Sequence, residues 1–265
     1  MHRAAHRVLK ADPVMAALIE AAGPCRIRSR EAQEPFEALA RAIAHQQLHG
    51  VAAERILGRF VALFAAATFP RPQQVIDAAD EQLRAVGFSY AKIAALKDLA
   101  RKTLEGTVPP AAELALLGDL EIIERLSSVR GIGRWTVEMM LMFQLERRDV
   151  LPVDDFGIRN GFRLAYGLKG MPTPRALAQF GERWKPWRSV AAWYLWRACE
   201  LARDGKLAAC VLPPRLALVK RRAAKKQKKA PRKQAQRKEA QRKKTKPAAK
   251  TLAKGRRGAR ARAVR

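Results

Sequence analysis

The segment 126–156 constrains the fold of this chain more than any other part of the sequence. Two helical patterns meet there at the tight turn Val129-Arg-Gly-Ile-Gly133. The two glycines allow the backbone to turn without Cβ clashes and leave successive N–H groups pointing outward where the next helix begins. N–H groups at the start of a helix suit a phosphate oxygen. A Gly-x-Gly pair alone also fits an ordinary turn between helices, and the context of Leu126, Ile132 and Arg134 favours the phosphate-binding interpretation.

Hydrophobic residues recur with the spacing of an α-helix along most of the chain. Phe36, Leu39, Ala40 and Ile43, for example, follow the i, i+3, i+4, i+7 pattern. No window alternates as a strand would, so the sequence predicts an all-α domain of about ten to twelve short helices. Helix starts are expected at five capping or first-turn signals, which are Asp12-Pro13, Asp80, Ser89, Asp119 and Thr173-Pro174.

The positive charge is concentrated at the carboxyl end. The chain has 53 Lys and Arg against 24 Asp and Glu, a net charge of +29, and residues 214–265 contain 23 of the basic residues and one acid, Glu239. Such an excess indicates a polyanionic partner, either a nucleic acid or an anionic membrane surface. Residues 213–265 also lack aromatic side chains, so they cannot bury enough apolar surface to offset their ordering entropy. We therefore predict a globular domain over residues 1–212 and a disordered Lys/Arg-rich tail over residues 213–265.

Cysteine usage and hydropathy exclude several classes of protein. The chain has three cysteines, Cys25, Cys199 and Cys210, and they lack paired spacing. It alone therefore cannot supply the four thiolates of an iron–sulfur cluster. His45 and His49 have the i, i+4 spacing of zinc ligands, but no third ligand is suitably spaced, and we predict no catalytic metal. No apolar stretch approaches the ~20 residues of a membrane span, and the N-terminus lacks the apolar region of a signal peptide. We expect a cytoplasmic protein without a signal peptide that does not act at a membrane.

Two adjacent carboxylates, Asp154 and Asp155, follow Pro152 at the start of the helical pattern 155–166. Either of them can simply cap the helix. Two in succession also allow one to cap the helix while the other faces a cleft, where the helix dipole favours its negative charge. A carboxylate in such a cleft stabilises a cation or activates water.

The tryptophans lie in two stretches, at Trp135 and within the segment 183–197. We interpret Trp184, Trp187 and Trp193 as core residues, because a Trp-rich helix usually packs inside. Aromatic faces that converge are also what a base flipped out of a duplex requires. The two stretches are therefore candidates for converging walls of one pocket.

At these motifs the chain resembles the alkylbase DNA glycosylases of the helix-hairpin-helix (HhH-GPD) superfamily, of the 3-methyladenine DNA glycosylase II type. The resemblance covers residues 10–205 and leaves the tail unmatched. It implies an all-α, two-lobed helix-hairpin-helix glycosylase fold. The motifs that carry it are Ile43-Ala-His-Gln-Gln-Leu48, Gly87-Phe-Ser-Tyr-Ala-Lys92, Val129-Arg-Gly-Ile-Gly-Arg-Trp-Thr136, Leu151-Pro-Val-Asp-Asp155 and Trp184-Lys-Pro-Trp-Arg-Ser189 with Trp196.

The resemblance assigns the catalytic role to Asp155 and a supporting role to Asp154. Trp135 stands where members that also nick DNA carry a nucleophilic lysine, which implies a monofunctional enzyme. Trp196 matches a tryptophan that stacks on the extruded base, and Met139 stands where some members have an aromatic pocket residue. The residues implied for the base pocket are Trp135, Trp196, Met139 and Tyr90.

The resemblance also assigns DNA contacts. Gln47 or Leu48 matches the wedge that enters the gap left in the duplex. The backbone carbonyls of the phosphate-binding hairpin in this superfamily often hold a structural monovalent cation, and no other cofactor is implied. The residues that match the hairpin are Arg130, Gly131, Gly133 and Arg134.

The activity implied is hydrolysis of the N-glycosidic bond of alkylated purines, the 3-methyladenine and 7-methylguanine class, by base flipping. The implied partner is double-stranded DNA with alkylated bases, and the implied product is an abasic site in base excision repair. We expect a monomer that is associated with the nucleoid.

Two alternatives to this activity remain. A bifunctional glycosylase/lyase that acts on other damaged bases is disfavoured by Trp135 and by the lack of cluster cysteines. A non-catalytic nucleoid DNA-binding protein needs neither pocket tryptophans nor Asp155.

Truncation after Pro213 is expected to leave the single-turnover excision rate at saturating enzyme nearly unchanged, because the residues assigned to pocket, wedge and hairpin all lie before Arg197. Binding to undamaged duplex should weaken. The plot of log affinity against log salt should also become flatter, since each lost phosphate contact removes about 0.9 from the slope. Titrations of undamaged duplex at several salt concentrations measure this slope. An unchanged slope would show that the tail does not lie on DNA, and a collapsed excision rate would show that the tail contains part of the catalytic fold.

Overall fold

Residues 2–27, 33–64 and 69–207 are described by a computed structural model of the protein, and all of them belong to one unit that spans Met1–Val211. They form thirteen α-helices and one short 3₁₀ helix, and no strand occurs among them. The prediction of an all-α fold is confirmed. The tail predicted over residues 213–265 and Cys210 lie outside the described residues. No helix in the described part of the chain is long and apolar enough to span a membrane.

Most of the helices are short, and the longest of them, α13, has 16 residues. Helix α8 is a single turn of four residues, too short for a hydrophobic period to reveal, so the described helices outnumber the ten to twelve expected. In chain order they are α1 (His2–Leu9), α2 (Pro13–Ala22), α3 (Pro35–His45), α4 (Gly50–Leu63), α5 (Pro72–Asp77), α6 (Asp80–Ala85), α7 (Tyr90–Leu104), α8 (Ala111–Leu114), α9 (Asp119–Ser127), α10 (Arg134–Phe143), α11 (Phe156–Ala165), α12 (Pro174–Gly181), the 3₁₀ helix Glu182–Trp184 and α13 (Arg188–Arg203).

Three of the five predicted helix starts are side-chain caps. Asp12, Ser89 and Thr173 each accept a hydrogen bond from a backbone N–H group of the first helical turn. Asp80 and Asp119 lie one position later, as the first helical residues of α6 and α9. Their charges there stabilise the positive end of the helix dipole without capping it.

The helices pack into two lobes. The terminal lobe contains α1, α2 and α11 to α13, with α13 packed against α1, α2 and α11. The hydroxyl of Tyr194 on α13 donates to the carbonyl of Gly23 after α2, at 2.9 Å. The central lobe contains α3 to α10, with α7 packed against α3, α5 and α6, and α9 against α10. The chain therefore leaves the terminal lobe after α2 and returns to it after α10, which gives the two-lobed architecture expected.

Helices α11 and α13 approach each other backbone to backbone. A Cβ atom at Gly161 would lie 1.8 Å from the carbonyl oxygen of Leu195, so no larger residue fits there. The next residue on α13 is Trp196, whose side chain therefore reaches the start of α11. Trp184, Trp187 and Trp193 are buried, as predicted for core residues.

The loop 147–155 is anchored by the start of α13. Ser189 is 1% exposed, and its hydroxyl donates to a carbonyl of this loop at 2.6 Å and accepts from an N–H group of the loop at 3.0 Å. Arg188 makes two hydrogen bonds to the carboxylate of Asp149, at 2.8 and 2.9 Å. The motif that resembled a glycosylase signature at Trp187-Arg-Ser189 therefore holds the chain that leads into the acidic pair.

Candidate active site

The carboxylate of Asp155 lies where the two lobes meet. Asp155 is the N-cap of α11, and its Oδ1 accepts from the backbone N–H of Ile158 at 2.7 Å. Nε1 of Trp196, on α13, donates to the same oxygen at 2.9 Å. Nε1 of Trp135, on α10 of the central lobe, donates to Oδ2 at 2.7 Å. A single carboxylate therefore joins three elements from both lobes.

Of the two neighbouring acids, Asp155 is the one that caps α11, and its second oxygen accepts from the indole of Trp135 on the other lobe. Asp154 is exposed and makes no hydrogen bond within the described residues. Its supporting role stays a prediction.

The two indole rings approach Asp155 from opposite lobes. Trp135 is 50% exposed, so much of its ring surface is open to a ligand. The ring of Trp196 stacks on that of Phe143, with 6.0 Å between centroids and 22° between planes. A hydrogen bond from an indole N–H to a carboxylate fixes the edge of the ring and leaves its faces free. Asp155 therefore positions both aromatic rings.

Gly157 makes room for this arrangement. A Cβ atom at this position would lie 2.9 Å from Cδ1 of Trp196 and 3.1 Å from Oδ1 of Asp155. Any other residue would push the indole away from the carboxylate. Sequence reasoning missed Gly157, although a glycine in the first turn of the helix after the acidic pair was a visible signal.

A cavity of about 980 Å³ lies beside Trp135 in the central lobe. One wall is α10, where Trp135, Met139 and Phe143 recur at i, i+4 and i+8 on one face. The opposite wall is formed by α3 and the loop after it. The residues that line the cavity from that side include Leu39, Arg41, Ala42, His45, Gln46 and Gln47.

The structure brings most of the predicted pocket residues together. Trp135 and Met139 line the cavity directly, and Trp196 stacks on Phe143, which also lines it. Tyr90 is not among the lining residues. It is 68% exposed, and its ring lies 4.7 Å from the guanidinium of Arg84 on α6. The structure therefore does not place Tyr90 in the base pocket, because its ring packs against α6 instead.

Residues 46–48, which we call the wedge segment, follow α3, and Gln46 and Gln47 line the cavity. Gln47 has φ of 58°, a left-handed conformation that costs a residue with a Cβ atom on the order of 1 kcal/mol. Leu48 is 39% exposed. Gln46 donates from Nε2 to the carbonyl of Gly131 at 2.7 Å. This hydrogen bond joins the wedge segment to the turn 129–133, which we call the hairpin.

The hairpin presents unpaired N–H groups at the start of α10. Gly131 has φ of 77°, a conformation that favours glycine, and Gly133 is the N-cap of α10. Within the described residues, the N–H groups of these two glycines have no hydrogen-bond acceptor. The N–H groups of Arg134 and Trp135 follow directly, and they also have no acceptor within the described residues. The phosphate-binding prediction depends on this arrangement.

The resemblance implies a monovalent cation held by hairpin carbonyls. Ser127, at the end of α9, has a buried Oγ without a hydrogen-bond partner in the described part of the chain. A buried hydroxyl without a partner suits an ion or a water, since both bind to oxygen. The residues therefore fit an oxygen-ligated cation, which would order the hairpin and take no part in the chemistry.

Glu138 is a buried carboxylate, 3% exposed, that sequence reasoning missed. Arg134 donates to it from Nε at 2.8 Å. Burial raises the pKa of Glu138, the pairing with Arg134 opposes this, and the carboxylates of Asp154 and Asp155 raise the pKa further. Glu138 thus holds Arg134 beside the hairpin and adds a third acid near the pair. The available signal was the i, i+4 spacing of Arg134 and Glu138 in an otherwise apolar helix.

His45 also lies on the cavity wall, where its Nε2 donates to the carboxylate of Glu54 at 3.0 Å. Among the residues that the structure describes, no group of three or more His, Cys, Asp or Glu side chains is arranged to hold a metal ion.

Known proteins share this arrangement of sequence and fold. Residues 40–186 match a family described as HhH-GPD superfamily base excision DNA repair protein. DNA-3-methyladenine glycosylase 1 of Schizosaccharomyces pombe is 46% identical over 175 residues, which are 66% of this chain and 77% of that protein. DNA-3-methyladenine glycosylase 2 of Escherichia coli is 33% identical over 172 residues, which are 62% of this chain and 57% of that protein.

A solved structure of the Schizosaccharomyces pombe 3-methyladenine DNA glycosylase in complex with abasic DNA has a TM-score of 0.66 and 43% sequence identity, and the match covers 75% of this chain and 97% of that one. A DNA-3-methyladenine glycosidase from Bacillus halodurans has a TM-score of 0.67 and 33% identity, and that match covers 74% and 89%.

Gly157→Ala is expected to break the hydrogen bond between Trp196 and Asp155, because the new methyl group meets the indole at 2.9 Å. The free energy of unfolding should fall by about 1–3 kcal/mol, the usual cost of overpacking. Denaturant titration measures the loss, and the indole N–H resonance of Trp196 reports the broken bond. Gly170→Ala is the control, since a Cβ atom there would meet nothing within 4 Å. Equal unfolding free energies and an unmoved Trp196 resonance would contradict this account of Gly157.

Proposed function

Because the chain belongs to the HhH-GPD superfamily of base excision DNA repair proteins, we propose that it is a monofunctional DNA glycosylase that removes alkylated purines. It hydrolyses the N-glycosidic bond and leaves an abasic site in double-stranded DNA. The observation that carries this proposal is the carboxylate of Asp155, held between the indoles of Trp135 and Trp196. The names of the relatives, DNA-3-methyladenine glycosylases, support the same class of substrate.

The chemistry of the substrate explains why one carboxylate is enough. A purine such as 3-methyladenine carries positive charge in DNA, so its glycosidic bond is weak and the base leaves without first being protonated. No general acid is therefore required. A cationic ring is attracted to the π-face of an aromatic side chain. Trp135, half exposed on the cavity wall, offers such a face.

Asp155 acts on the sugar. Positive charge develops on the sugar as the base departs, and an anionic oxygen fixed nearby stabilises that charge. The same carboxylate positions the water that attacks the sugar. Because one backbone N–H and two indole N–H groups already hold the carboxylate, little reorganisation is needed when the reaction begins.

The remaining site residues act on the DNA. Flipping a base out of the duplex costs a few kcal/mol, less when the base is damaged, and this difference supplies part of the selectivity. Gln47 or Leu48 enters the gap that the base leaves. The N–H groups of the hairpin, with Arg130 and Arg134, bind the phosphate backbone and hold the bent duplex.

Two observations favour this activity over the alternatives. A lyase needs an amine beside the sugar, and the position in question holds the indole of Trp135, which is already bonded to Asp155. A packaging protein gains nothing from a cavity or from a carboxylate held by three donors. We further infer that the enzyme acts as a monomer on the chromosomal DNA of the cytoplasm, associated with the nucleoid. Incubation with methylated duplex DNA tests the proposal, and a failure to release methylated base would refute it.

Asp155→Asn is expected to lower the single-turnover excision rate by about 100-fold or more, because the amide lacks the charge that stabilises the sugar cation. Binding to abasic-site DNA should persist, since the volume is unchanged and an Asn oxygen still caps α11. Asp154→Asn is the matched control, and it should cost much less. Quench-flow excision assays with both variants measure the difference. Equal losses, or a larger loss at Asp154, would reverse the assignment.

Borohydride trapping on abasic DNA is expected to give no covalent complex above background, because no amine is positioned to form a Schiff base with the sugar. Lys92 is the informative lysine, since burial lowers its pKa and so increases the fraction of free amine. Its Nζ, however, donates to the carbonyl of Ala44 at 2.7 Å. Denaturing gels of the trapped mixture, with Lys92→Met beside the native chain, provide the measurement. An adduct lost in Lys92→Met would establish a lyase.

A further inference from the structure

Helix α7 carries three charged side chains, Lys92, Asp98 and Lys102, that bond to the main chain near the two segments proposed to touch DNA. Lys92 bonds to the end of α3, Asp98 bonds to the hairpin, and Lys102 bonds to the residue before the hairpin. None of the three takes part in the proposed base excision. All three residues are partly buried, with 16% exposure for the side chain of Asp98 and 23% for that of Lys102. Their main-chain partners, Arg130, Ser128 and Ala44, lie within the hairpin or within two residues of the hairpin or the wedge segment.

Asp98 and Lys102 contact the main chain of the hairpin and of the residue before it. Oδ2 of Asp98 accepts from the backbone N–H of Arg130 at 2.8 Å. Lys102 donates from Nζ to the carbonyl of Ser128, next to the hairpin, and lies 3.2 Å from the same carboxylate oxygen. Burial works to raise the pKa of Asp98, but the hydrogen bonds from Arg130 and Lys102 outweigh it and lower the pKa. The carboxylate is therefore charged where it meets the hairpin.

Lys92 holds the end of α3, just before the wedge segment. Its Nζ donates to the carbonyl of Ala44 at 2.7 Å, in the last turn of α3 and three residues before Gln47. The chain turns into a left-handed conformation at Gln47, so its direction depends on where α3 ends. Lys92 and Asp98 are six residues apart, about 9 Å along the axis of one straight helix.

We propose that Lys92, Asp98 and Lys102 are positioning residues, through which α7 fixes the wedge segment and the hairpin at the separation required to hold DNA with one base flipped out. The proposal rests on the functions proposed for those two segments. Unpaired N–H donors bind a phosphate well only if they are held in place beforehand, because ordering them on binding costs affinity. The hydrogen bond from Gln46 to Gly131 joins the wedge segment and the hairpin directly, in addition to their contacts with α7.

The decisive experiment compares Asp98→Ala, Asp98→Asn and Lys97→Met in the full chain. Asp98→Ala removes the acceptor for the Arg130 N–H, and its affinity for abasic-site duplex should fall about tenfold relative to its affinity for undamaged duplex. Asp98→Asn keeps an acceptor oxygen and should restore most of that ratio. Lys97→Met is the matched control on the same helix. It breaks an ion pair with Asp80 at 2.5 Å that contacts neither segment.

Lys92→Met provides the second arm, read by the fluorescence of 2-aminopurine placed beside the lesion. We expect a smaller gain of fluorescence on binding for Lys92→Met than for the native chain, because the hairpin contacts stay intact while the wedge segment is less well held. Thermal unfolding of every variant separates positioning from stability. If Asp98→Ala and Lys97→Met lower the melting temperature equally and leave the affinity ratio equal, α7 has only a structural role and the proposal fails.

The binding ratio also separates this proposal from the proposed activity. If the native chain releases no methylated base but Asp98→Ala still loses its preference for abasic duplex, the activity fails and the positioning role stands. If the native chain excises methylated bases, and Asp98→Ala has the same affinity ratio and excision rate as the native chain, the positioning role fails and the proposed activity stands.

Discussion

One carboxylate accepts hydrogen bonds from both lobes of this protein, and the rest of the site depends on that contact. The terminal lobe places Asp155 through the cap of α11, the close approach of α13 at Gly161 and the anchoring of loop 147–155 by Ser189. From the central lobe, among the residues that the structure describes, Trp135 is the side chain that donates a hydrogen bond to it. Because an ionised carboxylate accepts hydrogen bonds and donates none, its two oxygens satisfy indole donors from opposite sides at once. The relative position of the two aromatic rings follows from this contact.

Helix α10 joins the hairpin, proposed to bind phosphate, and the proposed base pocket within one rigid element. Its N-cap is Gly133 of the hairpin, and Trp135 and Met139 of the pocket follow within the first two turns. A phosphate bound at the hairpin is therefore held at a fixed distance from the ring that faces the cavity. Glu138 strengthens this link, because it holds Arg134 by a hydrogen bond between the hairpin and the acidic pair. Under the proposed function, recognition of the DNA backbone and placement of the base are thus coupled through α10.

The sequence predicted those features that repeat locally. Helical periodicity gave the all-α fold, and capping residues such as Asp12 and Ser89 marked helix starts. The resemblance identified Asp155, Trp135 and Trp196, which the structure brings together. It did not reveal that Asp155 both caps and faces the other lobe, because that depends on where α10 packs. Gly157 and Asp98 escaped notice, and the anchoring role of Ser189 was not foreseen, for the same reason, since each acts on a segment distant in sequence. Tyr90 was placed in the pocket although its ring packs against Arg84.

The hydrogen bonds at Asp155 divide the site into a part that resists evolutionary change and a part that tolerates it. Replacing Asp155, Trp135, Trp196 or Gly157 disturbs several contacts at once, so these four positions constrain one another. Met139 lines the same cavity and makes no hydrogen bond to the carboxylate. A thioether side chain is flexible and adapts to ligands of different shape. If the cavity holds the flipped base as proposed, a substitution at Met139 changes the shape of the pocket and leaves the hydrogen bonds at Asp155 in place.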